Sequence, residues 1–181
     1  TLRLISGDIR ITGWDGDTVQ VLTDEDDNGR SVLAITEDSG AGGIVISPAA
    51  HLGSKSFDLK VNLPRQAELS LELRNGDISI SNINGAVSVK NGGGDISISQ
   101  VGPLTLAMGG GDMSVSKVSG NVTLKAGGGD LSMHEVNGAV SLSMGGGDIS
   151  LNQIGELDAR IGGGDVSVKE VKGSVTVNTT A

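Results

Sequence analysis

The chain contains no cysteine. Disulfide staples and thiol chemistry are therefore excluded, and the redox compartment stays open. Aromatic side chains are nearly absent, with only Trp14 and Phe57 among 181 residues. A compact globule fills its core with large rings, so a narrow core lined by Ile, Val, Leu and Met is expected instead. No apolar run approaches the ~18 residues of a membrane span. Positive charge is also short: 13 Lys and Arg stand against 22 Asp and Glu, a formal net charge of −9. That balance argues against a nucleic-acid or anionic-membrane partner, since both want clustered Lys and Arg. The sequence starts at Thr1 with neither an initiator Met nor a leader. A processed or trimmed form is expected, with the targeting information elsewhere.

What the chain has in excess is glycine, 30 of 181 residues. There is no collagen-like triplet period, so the glycines serve turns. They concentrate in one recurring stretch, first seen complete as Asn91-Gly92-Gly93-Gly94-Asp95-Ile96-Ser97-Ile98-Ser99. Close copies start at Gly109, Gly127, Gly145 and Gly162, and a shorter one runs from Asn75 to Ser81. The aspartates Asp77, Asp95, Asp112, Asp130, Asp148 and Asp165 are spaced 18, 17, 18, 18 and 17 residues apart. The two short units each lose one residue just before a glycine, Gly102 or Gly155, which reads as a turn deletion that leaves the strands in register.

Within each unit apolar and polar residues alternate, the period of a half-buried strand. The inward columns are Ile78, Ile96, Met113, Leu131, Ile149, Val166 and Ile80, Ile98, Val115, Met133, Leu151, Val168, followed by Ile83, Val101, Val118, Val136, Ile154, Val171. A second strand adds Val87 to Val175 and Val89 to Val177 at the same spacing. A turn glycine recurs at Gly85, Gly102, Gly120, Gly138, Gly155 and Gly173. Two short strands cannot bury their apolar faces alone; stacking successive units does so. The predicted fold is all-β, a single β-solenoid (β-helix) domain over 1–181 with coils of 17–18 residues and two main strands per coil. Six regular repeats occupy 77–181.

Residues 1–76 are less regular. Strands are predicted over Asp8–Thr12, Thr18–Val21, Ser31–Thr36, Gly43–Ser47, Phe57–Leu63 and Ala67–Leu73, with an exposed turn at Asp24–Gly29 and a loop at Ala49–Ser56. At a similar length per coil they add roughly four looser coils. About ten coils, each advancing ~4.8 Å, make a rod of roughly 50 Å.

The run Phe57-Asp58-Leu59-Lys60-Val61-Asn62-Leu63-Pro64, followed by Leu69–Leu73 and the repeated Gly-Asp-apolar-polar-apolar units, resembles the bacterial domain-of-unknown-function family of "putative adhesins". The resemblance covers nearly the whole chain and is strongest over 57–181. It implies a β-strand-repeat fold and association with the cell envelope or the extracellular surface. It brings no catalytic residues.

The candidate sites are the columns and the ends. A phosphate loop needs Lys and then Ser or Thr after its glycines, and none follows here. The calcium nonapeptide needs a nine-residue period and Asp two residues after its last glycine; here Asp follows directly and the period is doubled. Stacked aspartates repel by ~1 kcal/mol per neighbour in water. Turn amides or a calcium ladder along Asp77, Asp95, Asp112, Asp130, Asp148 and Asp165 would offset that repulsion. The amide reading is favoured, with glycines supplying positive φ and Asp bonding the free N–H groups of its turn. No cofactor is called for.

Ser79, Ser97, Ser114, Ser132, Ser150 and Ser167 fill one outward column. Such a hydroxyl array suits ice or a glycan, or simply a flat ladder in which stacked serines bond one another. The next outward column starts as Ser81, Ser99, Ser116 and drifts to His134, Asn152, Lys169, which spoils an ice-binding rank.

For catalysis only His51, in a loop, and His134, in a polar column, are available, together with Asp158 beside Glu156 and Arg160. These point to no enzyme. At the ends, Val175 and Val177 close the last unit without a helix, charged plug or proline, and Leu2 and Leu4 lie in another pairable strand. Solenoids need capped ends. Either the array is cut short or the edges at Val175, Val177, Leu2 and Leu4 pair end to end. The expected protein is a non-catalytic envelope or extracellular scaffold of adhesin type. The alternatives are a filament subunit and a glycan- or ice-binding face. The expected partners are a second copy, an envelope protein or a glycan.

Overall fold

The structure is a computed structural model that describes residues 2–23, 33–38, 43–48 and 58–180. Every element among them is a strand: β1 (Leu2–Ser6), β2 (Ile9–Trp14), β3 (Gln20–Thr23), β4 (Leu33–Asp38), β5 (Gly43–Pro48), β6 (Leu59–Pro64), β7 (Leu69–Asn75), β8 (Ile78–Ile83), β9 (Val87–Asn91), β10 (Ile96–Val101), β11 (Leu104–Met108), β12 (Met113–Val118), β13 (Val122–Ala126), β14 (Leu131–Met144), β15 (Ile149–Ile161), β16 (Val166–Val171) and β17 (Val175–Thr179). The long β14 and β15 each cover both strand segments of one coil. The predicted turn at Asp24–Gly29, the predicted loop at Ala49–Ser56 with His51, and Phe57 at the start of the next predicted strand lie outside the described residues.

From Asp77 onward the chain coils as a β-solenoid of six turns, about 18 residues apart. Every pair of neighbouring coils is parallel and in register, with like residues stacked: Ile96 pairs with Ile78 and Met113, Leu106 with Val89 and Leu124. The reason is the alternation itself. A slip by one residue would turn every apolar side chain outward. The inward columns are buried down the stack, and Ile83, Val89, Val118, Leu124 and Ile154 are all sealed. Each such Ile, Val or Leu contributes about 1.5–3 kcal/mol by leaving water. The turn deletion at Gly155 falls where expected. Val136 pairs with Ile154 and Val140 with Leu157, while Asn137 and Gly138 face the single Gly155.

The strands contain a feature that strict alternation hides. Asn82, Gln100, Lys117, Glu135, Gln153 and Glu170 have φ between 53° and 62°, in the left-handed region. Ser81 faces out, so alternation would put Asn82 inside and Ile83 outside. The left-handed residue resets the sequence, and Ile83 enters the core while Asn82 stays at the surface. Each of these coils repeats the reset with a non-glycine residue, at a conformational cost that the buried apolar residue after it offsets in every coil but the last, where Val171 is half-buried.

Residues 1–76 do not form four coils in chain order. One face of the stack runs β6, β2, β8, β10, and the other runs β5, β1, β7, β9. The first rung of the chain, β1–β2, is thus inserted between β5–β6 and β7–β8. The turn after β6 carries the chain past the end of β2. There the Arg65 N–H donates to the Trp14 carbonyl, and the Arg65 carbonyl accepts from Asn84 N–H. Beyond this rung β3 pairs antiparallel with β6, and β4 antiparallel with β5.

One expectation changes with this order. Leu2 and Leu4 do not mark a free edge, because β1 pairs with β7 along its length and with Ile46 of β5 on its other side. Trp14 does not cover the end of the stack. It closes an interior rung opposite Pro64, and its indole N–H donates to the Thr18 carbonyl. The physical reason is that any Gly-Asp rung fits against any other, so chain order does not dictate stacking order.

Candidate functional site: the aspartate and serine columns

The corner geometry explains the Gly-Gly-Gly-Asp motif glycine by glycine. Of the three only the last has positive φ, between 101° and 115° at Gly94, Gly111, Gly129, Gly147 and Gly164. A Cβ there would strike the carbonyl of the corresponding glycine one turn back. The first glycine is needed for close approach: a Cβ on Gly109 would strike the Gly92 carbonyl. The middle glycine lies outside the left-handed region, and a Cβ on Gly110 or Gly163 has nothing within 4 Å, whereas one on Gly93 would come to 3.2 Å from Asn75 Oδ1.

The aspartates do not bond the amides of their own turns, as the sequence suggested. Each Oδ1 instead accepts the backbone N–H of the aspartate one coil further on. Asp77 N–H donates to Asp8 at 3.1 Å, Asp95 to Asp77 at 2.8 Å, Asp112 to Asp95 at 3.0 Å, and the series continues through Asp130 and Asp148 to Asp165. A charge-assisted bond of this kind stabilises the carboxylate against its stacked neighbours. Asp8 was missing from the column as read from sequence. Its signal was Gly7-Asp8-Ile9-Arg10-Ile11, a complete corner and strand start. Asp58, one rung further, precedes Leu59, whose N–H donates to the Asp8 carbonyl.

The serine column stacks as expected, Ser79 on Ser97, Ser114, Ser132, Ser150 and Ser167, and continues through Arg10 to Lys60. Among the described residues no hydrogen bond joins the stacked hydroxyls, so the ladder does not need them. Between the aspartate and serine columns runs an open trough of about 860 Å³. Its floor is strand backbone, because the intervening Ile78, Ile96, Met113, Leu131 and Ile149 side chains are buried.

The catalytic candidates do not converge. His134 Nε2 lies 3.0 Å from Glu135 Oε1 on the open surface, and Asp158 pairs loosely with Arg160 at 3.6 Å. Among the described residues no group of three or more His, Cys, Asp or Glu side chains gathers as a metal shell. No described helix is long and apolar enough to cross a membrane.

A solenoid of acidic and hydroxyl columns is the class these features define. The chain belongs to the Toastrack DUF4097 family, a domain of unknown function, which matches residues 6–181. This agrees with the family resemblance seen in the sequence. No curated protein matches the chain. Among solved structures it is similar to a "putative cell adhesion protein" from Clostridium sporogenes, at 14% identity over 98% of this chain and 91% of that one, with a TM-score of 0.34.

Proposed function

We propose that this chain is a non-catalytic, rigid scaffold of adhesin type, displayed on a bacterial envelope or in the extracellular space. The observation that carries the reading is the aspartate column. A backbone-to-carboxylate bond at each step from Asp8 to Asp165 locks coil to coil. Such a stack holds its outer faces at a fixed spacing, which suits display. The envelope placement rests on the family resemblance. The test is labelling of intact and permeabilised cells of the native host with an antibody to this chain. Labelling of intact cells, removed by external protease, is expected; labelling only after permeabilisation would sink the envelope placement.

A second reading is glycan recognition along the trough. It is favoured by serine hydroxyls that the ladder leaves free to bond a ligand. A glycan array with the wild-type chain and with Ser114→Val/Ser132→Val would test it. Binding lost in the double variant supports the site, and equal signals for both proteins overturn it.

A further inference from the structure

Four Asn-Gly pairs lie among the described residues: Asn75-Gly76, Asn84-Gly85, Asn91-Gly92 and Asn137-Gly138. Asparagine is thermolabile, and a following glycine has no side chain to shield its backbone nitrogen from the asparagine carboxamide. The fold treats the four pairs differently. Gly76 N–H donates to the Gly93 carbonyl at 3.0 Å, and Gly92 N–H to the Leu73 carbonyl at 3.2 Å. Asn91 is also buried, with its Nδ2 engaged by the Gly76 carbonyl. Asn137 and Gly138 lie inside the unbroken strand β14. Asn84 and Gly85 lie between β8 and β9, and Asn84 is exposed. Among the described residues neither the Asn84 carboxamide nor the Gly85 N–H has a hydrogen-bond partner.

We propose that Asn84 is a modification site, at which the folded chain deamidates in preference to its other paired asparagines. The Gly85 nitrogen attacks Asn84 Cγ. A bond forms between them, the Cγ–Nδ2 bond breaks, and Nδ2 leaves as ammonia with the proton lost by Gly85. The product is a cyclic imide. Water opens the ring at either carbonyl, adding its hydroxyl to that carbon and its proton to the nitrogen. Aspartate or isoaspartate then occupies position 84. A free, undonated N–H leaves Gly85 able to act, whereas Gly76 and Gly92 would each have to break a rung-to-rung bond first.

The corner gives this chemistry a structural consequence. Isoaspartate routes the main chain through the side-chain carbons and so lengthens it. Around Asn84 there is no room for that. Its N–H donates to the Arg65 carbonyl at 2.6 Å on one side. A Cβ on Gly85 would strike the Ala67 carbonyl, and one on Gly102, in the next coil, would strike the Asn84 carbonyl. Main chain touches main chain on both sides, and such packing transmits any change in length. Arg65 and Ala67 belong to the turn after β6, whose Arg65 N–H also donates to the Trp14 carbonyl. Position 84 is therefore part of the joint between the N-terminal rungs and the six-coil stack, and isoaspartate there loosens the joint irreversibly. The inference is independent of the scaffold reading, since it holds or fails whatever the stack displays.

The test is to age the folded 181-residue chain at mildly alkaline pH and to map its peptides by mass spectrometry, beside a sample aged in concentrated urea. In the folded chain Asn84 is expected to convert several-fold faster than Asn75 and Asn91. In urea the three rates are expected to converge, because only the fold sets them apart. The aged chain is expected to melt below the fresh one. Asn84→Gln, a change at an exposed side chain without a partner, is expected to keep its melt through the same treatment. Conversion of Asn75 or Asn91 as fast as Asn84 in the folded chain overturns the proposal. So does a chain with isoaspartate at position 84 that melts like the fresh chain, or an Asn84→Gln variant that loses stability in step with the wild type.

Discussion

The Oδ1 of Asp95 accepts the backbone N–H of Asp112 at 3.0 Å, one full coil away in the chain. The bond needs an acceptor, not a charge. Asp112→Asn keeps the acceptor for the Asp130 amide and removes one charge from the column, so thermal melting is expected to be unchanged or higher. Asp112→Ala removes the acceptor and is expected to cost about 0.5–1.5 kcal/mol. A chelator is expected to leave both melts in place. If Asn is as damaging as Ala, or the chelator lowers the melt by many degrees, the carboxylates are held by a cation instead.

The corner predicts opposite outcomes for adjacent glycines. Gly110 has open space around an added Cβ and lies outside the left-handed region, whereas Gly111 has φ of 113° and faces the Gly94 carbonyl. Gly110→Ala is expected to be neutral or stabilising by up to about 1 kcal/mol, through the unfolded chain. Gly111→Ala is expected to lose roughly 1–3 kcal/mol. Urea titration of both variants checks the contrast, and equal losses would refute the corner geometry.

Asn91 interrupts an apolar column in which Leu73 pairs with Asn91, and Asn91 with Met108. It is 4% exposed, its Nδ2 donates to the Gly76 carbonyl at 3.0 Å, and its Oδ1 has no partner. A buried oxygen without a donor costs about 1–3 kcal/mol. Asn91→Met, matching Met108 and Met144 in the same column, is expected to raise stability by about 1 kcal/mol. A drop in the melting temperature would show that the bond to Gly76 outweighs the orphaned oxygen.

Lys117 holds φ of 56° to reset the alternation. Asn tolerates this conformation and already occupies the position at Asn82. Lys117→Asn is expected to stabilise by about 0.5–1 kcal/mol, and Lys117→Val to destabilise by more than about 1 kcal/mol. Chemical denaturation of the two variants ranks them; the reverse order would mean that the bend is set by something other than this residue.

Much of the candidate site was readable in advance. Ser97 and Ser114, Ile96 and Met113, and the aspartates could be aligned because each residue stacks on its own copy one period on. Other features were not readable. Asn82, Gln100 and Glu135 share no residue type that signals positive φ. Asp8 carried the right corner but stood far from its neighbours in the chain. Leu2 and Leu4 looked like an edge only because they come early in the sequence.

The sequence by itself determined the rung: its length, its inward columns, its glycine corner and the register between coils. Those are local and periodic properties, set by alternation and by where a Cβ can fit. Only the tertiary structure decided the order in which rungs stack, with β1–β2 placed between β5–β6 and β7–β8. A rung presents nearly the same edge to any other rung, so its neighbours are chosen by how the whole chain closes around the core. That choice also places β3 outside β6 and makes β1 an interior strand.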